Sequence, residues 1–293
     1  SAASDVYKRQ ERHYIIKHLV FPFSAKIRTL NPPGGVLKSR HFSFRRDVMG
    51  RLIAGSSLNG GSMKITYIHH SAFLAETEHA CLLFDYFKGS LPKLPEGKRL
   101  YIFASHRHPD HFSKVIFDIA AEHGDTVLLL SSDIWRKRVP EELKASAVFL
   151  KPDTVWEDGV LKAETFRSTD EGVAFWCTVD GHTLYHAGDL NHWYWDGEDP
   201  QWNENMTRNY RKEIGKMEGR HADAAFLPLD PRLGEYFYLG IDDFMKMVDT
   251  DWIFPMHFWG EFDVGARLKA LDCSRGYRER IVEISRQGQE FSI

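Results

Sequence analysis

The sequence predicts an α+β fold, two β-sheets with helices on their outer faces, and three observations carry that expectation. Short β-rich runs separated by polar turns follow Met63; a strand, helix, strand rhythm occupies residues 100–150; and a second set of strands lies between 161 and 186. The chain has 293 residues, 43% of them hydrophobic, enough to bury a full core. No apolar run approaches the ~18 residues of a membrane span.

The opening runs 64–70, 72–75 and 80–85 read as an antiparallel meander. His69 and His70 close the first strand; both a ligand and a strand-end reading are open to them, and the strand-end reading is preferred, as it is for Asp85 after the third run. The apolar run 100–104 leads into Ser105-His106-Arg107-His108-Pro109-Asp110-His111. Phe112, Val115, Ile116, Ile119 and Ala120 then recur at helical spacing and stop near Gly124. Runs 126–130 and 147–150 are strand candidates, and Trp156 to Gly159 reads as a turn. Strands are expected at 161–167, 172–179 and 183–186, the last two joined by a hairpin at Asp180-Gly181. Trp202, Met206, Tyr210, Ile214 and Met217 put one apolar face on a long helix, which is expected to cover the core. Ile241, Phe244, Met245 and Val248 give another helix, 266–271 a short one, and 281–284 with 290–293 closing strands.

Three imidazoles and a carboxylate within six positions, directly after a strand, point to a metal site. Side chains alternate along a strand, so His106 and His108 leave it on one side. Asp110 and His111 lie on the following turn, within reach of a second cation.

This is the spacing of an HxHxDH motif, and with it the chain resembles the metallo-β-lactamase-fold hydrolase superfamily. The resemblance implies one four-layer αβ/βα domain over residues 63–293 and a dinuclear site. It implies that Asp189, in Tyr185-His186-Ala187-Gly188-Asp189, bridges two cations, and that His257, in Pro255-Met256-His257-Phe258, completes the second. Where many members place a histidine between these motifs, the chain reads Arg167-Ser168-Thr169-Asp170-Glu171-Gly172. Asp170 is the natural substitute, a harder donor that tolerates Mn²⁺ or Fe²⁺ beside Zn²⁺; equally, it fits a plain turn residue.

The implied cofactors are two divalent cations, Zn²⁺ foremost. The implied chemistry is attack by a metal-bound hydroxide on a small-metabolite lactone, ester or phosphodiester, with Asp110 orienting the nucleophile. Chain order is similar to the branch that includes ascorbate-6-phosphate lactonase-like proteins. The loop aromatics just past Asp189, His192 and Trp193 through Trp195, are candidates for a substrate wall, and Asp230 to Arg232 and Tyr236 to Tyr238 could join them. Three alternatives stand beside this reading: a degenerate metal-binding module without activity, a nucleic-acid-processing nuclease, and a flavodiiron-type redox site, whose flavin domain finds no room here.

Cys81, Cys177 and Cys273 are far apart and form no CxxC pair, so neither a disulfide framework nor a thiolate zinc site is indicated and a reducing cytoplasm fits. No secretory signal is recognisable. Charge is uneven: residues 1–62 hold 11 Lys and Arg against 3 Asp and Glu, and the remainder 27 against 38. That acidic balance disfavours broad nucleic-acid binding, leaving a small molecule as the expected partner, no membrane, and self-association open. The first 62 residues are expected to be non-native or disordered. Asp5-Val6-Tyr7-Lys8-Arg9-Gln10 resembles a translated transposon-end sequencing adapter, and Asn59-Gly60-Gly61-Ser62 resembles a translated ribosome-binding stretch, with the start at Met63 or Met49.

Overall fold

The computed structural model describes residues 61–293. In chain order, β1 (Lys64–His69), β2 (Ala72–Glu76) and β3 (Ala80–Phe84) pair antiparallel, and β4 (Arg99–Ala104), β5 (Thr126–Ser131) and β6 (Ala147–Leu150) continue the sheet in parallel. A second sheet begins with β7 (Val155–Glu157), β8 (Leu161–Arg167), β9 (Val173–Val179) and β10 (His182–His186), all antiparallel. It is extended in parallel by β11 (His221–Pro228) and β12 (Asp249–Met256). The last strand, β13 (Gln289–Ser292), returns to the first sheet beside β1. The orders are β13-β1-β2-β3-β4-β5-β6 and β12-β11-β10-β9-β8-β7.

The inner faces meet through aromatic side chains: Phe73 lies 4.7 Å from Phe226 and Phe103 lies 5.0 Å from Phe175, ring centre to ring centre. Each such fully buried ring contributes roughly 1.5–3 kcal/mol. Helix α1 (Val115–His123) covers the first sheet, burying Ile116, Phe117 and Ala120 against Leu100, Ile102, Leu128 and Leu130. Gly124, at φ 85°, ends it in a backbone conformation that a side chain would disfavour. Helix α2 (Pro200–Ile214) starts where the Asp199 side chain accepts from the Trp202 N–H, and its Met206, Tyr210 and Ile214 face is buried as expected. Helix α3 (Leu239–Met245) brings Phe244 onto Tyr185 at 5.0 Å, and α4 (Val264–Ala270) follows β12. The layers run helix, sheet, sheet, helix, the αβ/βα arrangement the resemblance implies.

Three expectations differ from the structure. Residues 281–284 make one bridge, Ile281 to Ile253, rather than a strand. Residues 155–157 form β7, and the turn is confined to Asp158 and Gly159, where the Asp158 carboxylate accepts from the N–H of Val160 and of Leu161. Strand β11 was not anticipated, because Ala222 and the run from Ala224 to Pro228 are buried on both faces and so lack the alternation of a half-exposed strand. The readings of residues 1–60, including the adapter-like segment and Met49, lie outside the described residues. No helix among the described residues is long and apolar enough to cross a membrane.

Candidate metal centre

Parallel strands send their carboxyl ends to one rim of a sheet, where the chain turns and polar side chains collect. Here both sheets send such ends to a common rim. His70 follows β1, His106 to His111 follow β4, Asp189 follows β10 and His257 follows β12, while Asp170 sits in the turn from β8 to β9.

Two groups of donors form there. His106, His108, Asp170 and Asp189 present ligand atoms within 4.8 Å of one another, all four residues buried; so do His70, Asp110, His111 and His257. Asp189 stands between them. Its Oδ2 is 3.6 Å from His106 Nε2, while its Oδ1 is 3.2 Å from His111 Nε2 and 3.5 Å from His257 Nε2. Each carboxylate oxygen thus faces a different group. His108 turns Nδ1 toward Asp170 Oδ2 at 3.4 Å and Nε2 toward Glu171 Oε2 at 3.5 Å.

The rings are aimed by what holds their other nitrogens. Asp85 accepts from His111 Nδ1 at 2.7 Å, and from the Ser105 N–H and Oγ at 2.7 Å each. Ser105 Oγ, its proton given to Asp85, is 3.0 Å from His106 Nδ1 and receives that N–H. Asp230 accepts from His257 Nδ1 at 3.1 Å and is itself held by Arg232 Nε at 2.9 Å. These bonds place an N–H at Nδ1 of all three rings and turn their Nε2 atoms toward the gap.

The electrostatics ask for positive charge in that gap. Burial pushes His70 and His106 well below the ordinary imidazole value and lowers His108 too, so these rings offer lone pairs. Burial, with Asp189 and Glu171 adding repulsion, holds Asp170 well above the usual carboxylate range. Burial also opposes ionisation of Asp189, but His111, His257 and His106 outweigh it and hold that carboxyl well below. His111 in turn is kept well above its ordinary value, because Asp189 and Asp85 overcome its burial. His70 Nε2, His106 Nε2, His111 Nε2, His257 Nε2, Asp110 Oδ1, both Asp170 oxygens and Asp189 Oδ1 are buried without a hydrogen-bond partner. So many convergent orphaned donors would be costly in a protein interior. Divalent cations would satisfy them together, so these residues fit the metal pair.

The structure therefore brings together His106, His108, Asp110, His111, Asp170, Asp189 and His257, all seven sequence candidates. It adds His70, which the sequence reading set aside; its signal was a histidine pair closing a strand in the same sheet as the HxHxDH motif. Its carbonyl accepts from the His257 N–H at 3.3 Å, which ties β1 to the second sheet. His192 and Trp193 are corrected. Both are buried, with His192 held at its two nitrogens by Asp243 (3.0 Å) and Thr207 (2.7 Å). Trp193 donates Nε1–H to the Asp189 carbonyl at 3.0 Å and sets its ring edge against His257. It thus packs behind Asp189 and His257. Asp230 and Arg232 are likewise buried behind His257 rather than exposed to a substrate.

A cleft of about 480 Å³ opens at the second group, lined by His70 and Asp110 together with Tyr67, Phe87, Lys88 and Trp259 among others. A separate cavity of about 560 Å³, between residues 91–98 and α1, holds none of the candidate ligands.

Residues 64–199 match the model of the β-lactamase superfamily domain. A UPF0173 metal-dependent hydrolase of Carboxydothermus hydrogenoformans is 31% identical over 146 residues, covering 45% of this chain and 64% of that protein. One of Desulforamulus reducens is 29% identical over 216 residues, covering 67% and 84%. Among solved structures, the metallo hydrolase Igni18 of Ignicoccus hospitalis superposes with a TM-score of 0.53 at 15% identity, over 80% of this chain and 99% of that one. The diiron β-hydroxylase CmlA of Streptomyces venezuelae gives 0.53 at 9% identity, over 81% and 54%. The last two are likenesses of fold. Two facing mixed sheets with an HxHxDH turn and a Gly-Asp strand end at their common rim define a metallo-β-lactamase-type domain. The match to the β-lactamase superfamily domain and the metal-dependent hydrolase relatives support placing the chain in the metallo-β-lactamase superfamily.

Proposed function

We propose that the protein is a metal-dependent hydrolase of small molecules carrying a lactone, ester or phosphodiester, with Zn²⁺ as the first choice of metal and Mn²⁺ or Fe²⁺ as alternatives. The observation that carries the reading is the pair of buried donor groups sharing Asp189 and opening on a cleft of ligand size. The relatives' description as metal-dependent hydrolases supports it. His106, His108, Asp170 and one Asp189 oxygen would hold one cation; His70, Asp110, His111, His257 and the other oxygen would hold the second. Such cations supply Lewis acidity and a water acidic enough to react near neutral pH.

The chain's own residues do the rest. Asp110, which lines the cleft with Oδ1 unpartnered, is placed to accept a hydrogen bond from the attacking water and so aim it. Asp85 and Asp230 hold Nδ1 of His111 and of His257. Lactones head the list because chain order resembles the lactonase-like branch. The acidic balance of residues 63–293 argues for a small molecule over nucleic acid. Cys81, Cys177 and Cys273 are all free, which fits a reducing cytoplasm.

The test is elemental analysis of protein purified without chelator, followed by assay on lactone, ester and bis-nitrophenyl phosphate panels with and without chelator. About two transition-metal ions per chain and chelator-sensitive turnover are expected. Metal near zero after reconstitution would sink the reading, and bound metal with no turnover on any panel would replace it with a metal-binding module.

A further inference from the structure

Among the residues lining the cleft beside the second donor group, Asp110 is the one carboxylate, and it is committed to the metal site. Lys88 is the one ammonium. The Lys88 side chain forms none of the ion pairs found among the described residues; its Nζ lies 5.2 Å from the centre of the Phe87 ring. With cations in place, the cleft would carry positive charge at the donor group and again at Lys88. Its lining also includes apolar surfaces: Tyr67, Phe87, Phe262 and the partly exposed Trp259.

The loop that carries Lys88 is held in place. Tyr86 donates its hydroxyl proton to the Gly89 carbonyl at 2.8 Å, closing the loop on itself. Gly89 has φ 107°, and a Cβ there would stand 2.9 Å from Ile68 Cγ2 and 3.4 Å from His69 Cβ, so only glycine lets the loop lie this close to the end of β1. Phe87 is fixed edge-on to His69 at 5.3 Å. His69 lines the same cleft and keeps Nδ1 buried without a partner. An ammonium on an anchored loop and aromatic walls are the parts of an anion subsite.

Building on the hydrolase reading, we propose that Lys88 selects substrates carrying an anionic group, a carboxylate or a phosphate, away from the scissile bond, while Phe87, Trp259 and Phe262 cover the apolar body between. Lys88 is then a specificity-determining residue that acts on binding.

The test uses the metal-loaded protein and paired aryl esters: one with a remote carboxylate, one with a remote phosphate, and a neutral amide isostere. The anionic members should show kcat/KM at least about tenfold above the neutral one, the size of a charge-assisted hydrogen bond. In Lys88→Met that preference should vanish through KM, with kcat and the neutral ester little changed, and Lys88→Arg should restore it. Calorimetric titration with phenylacetate and phenylphosphonate, neither hydrolysable, should show about tenfold weaker binding to Lys88→Met; whichever anion loses more is the group selected. Equal kcat/KM across the pairs, or a preference that survives Lys88→Met, overturns the proposal. If no ester is turned over, the titration decides the subsite alone, and the lactone and phosphodiester panels decide the hydrolase reading.

Discussion

Asp170 is the residue on which the character of the first donor group turns. It is buried, pushed toward protonation by burial and by its acidic neighbours, and both its oxygens lack partners, which a plain turn aspartate exposed to water would not show. If it is a ligand, Asp170→Ala should lower metal content toward one ion per chain while the circular dichroism spectrum stays unchanged; unaltered stoichiometry and affinity would return it to a turn role. Asp170→His should shift preference from Mn²⁺ and Fe²⁺ toward Zn²⁺ in competition dialysis. His70→Ala should weaken the other ion and leave the first in place. The HxHxDH residues were legible because four donors sit within six positions and strand geometry does the rest. Asp85 and Asp230 were not, because each reaches its histidine from far along the chain, 26 and 27 residues away. His192 and Trp193 misled for a related reason: a loop aromatic beside a ligand looks the same in sequence whether it faces solvent or supports the ligand from behind.

At the scale of elements, the rim is held by close backbone approaches around Ser105. A Cβ on Gly172, at φ 73°, would stand 1.9 Å from the Ser105 carbonyl oxygen, and one on Gly188, at φ 52°, would stand 2.6 Å from Ser105 Cβ. That carbonyl accepts from the Val173 N–H at 2.9 Å, so the turn bearing Asp170 is stitched to the turn bearing His106. Gly172→Ala should therefore cost roughly 2 kcal/mol or more, measured by urea unfolding, and should weaken the metal at the first group more than at the second. A variant that binds both ions as the parent does would show that the two turns are independent. Helix α2 offers a second test. Asp243 holds His192 and, with Arg211 Nε at 3.0 Å, anchors that helix to α3. Burial opposes its ionisation, but the bonds to His192 and Arg211 win and keep the carboxyl below its usual range. A depressed carboxyl stabilises the fold above the unfolded value near ~3.9 and loses that contribution as pH falls. The stability gap between the parent and Asp243→Asn should accordingly be about 1–3 kcal/mol at pH 7 and shrink steadily below pH 4; a gap independent of pH would mean that lost packing, not charge, explains it. The helices and most strands were legible from apolar period, whereas β11, buried on both faces, carries no period to read.

At the scale of the molecule, the candidate ligands come from both sheets, so any ion bound there fastens one sheet to the other. Met63 is fully buried and exchanges backbone hydrogen bonds of 3.0 and 2.9 Å with Ile293, closing the rim of the first sheet through β1 and β13. Residues 1–62 are proposed to add nothing to this core: a chain beginning at Met63 should keep its metal content and a thermal midpoint within a few degrees of the full chain. Loss of folding on that truncation would make the basic segment structural. Metal removal should act far more strongly. His70, His106, His108, Asp110 and His111 lie on the first sheet's turns, and Asp170, Asp189 and His257 on the second's. Without cations, both sheets retain buried, unpaired donors where they meet. An ion present at a hundredfold excess over its Kd adds about 2.7 kcal/mol per site, which for a domain of this size raises the midpoint by roughly 5–10 °C per site. Calorimetric scans with Zn²⁺ and with chelator should differ by about twice that, and in Asp189→Asn, where the shared carboxylate is neutral, most of the difference should disappear. A midpoint indifferent to chelator would mean that the sheets hold together by their aromatic core alone and that the rim does not bind metal in the folded protein.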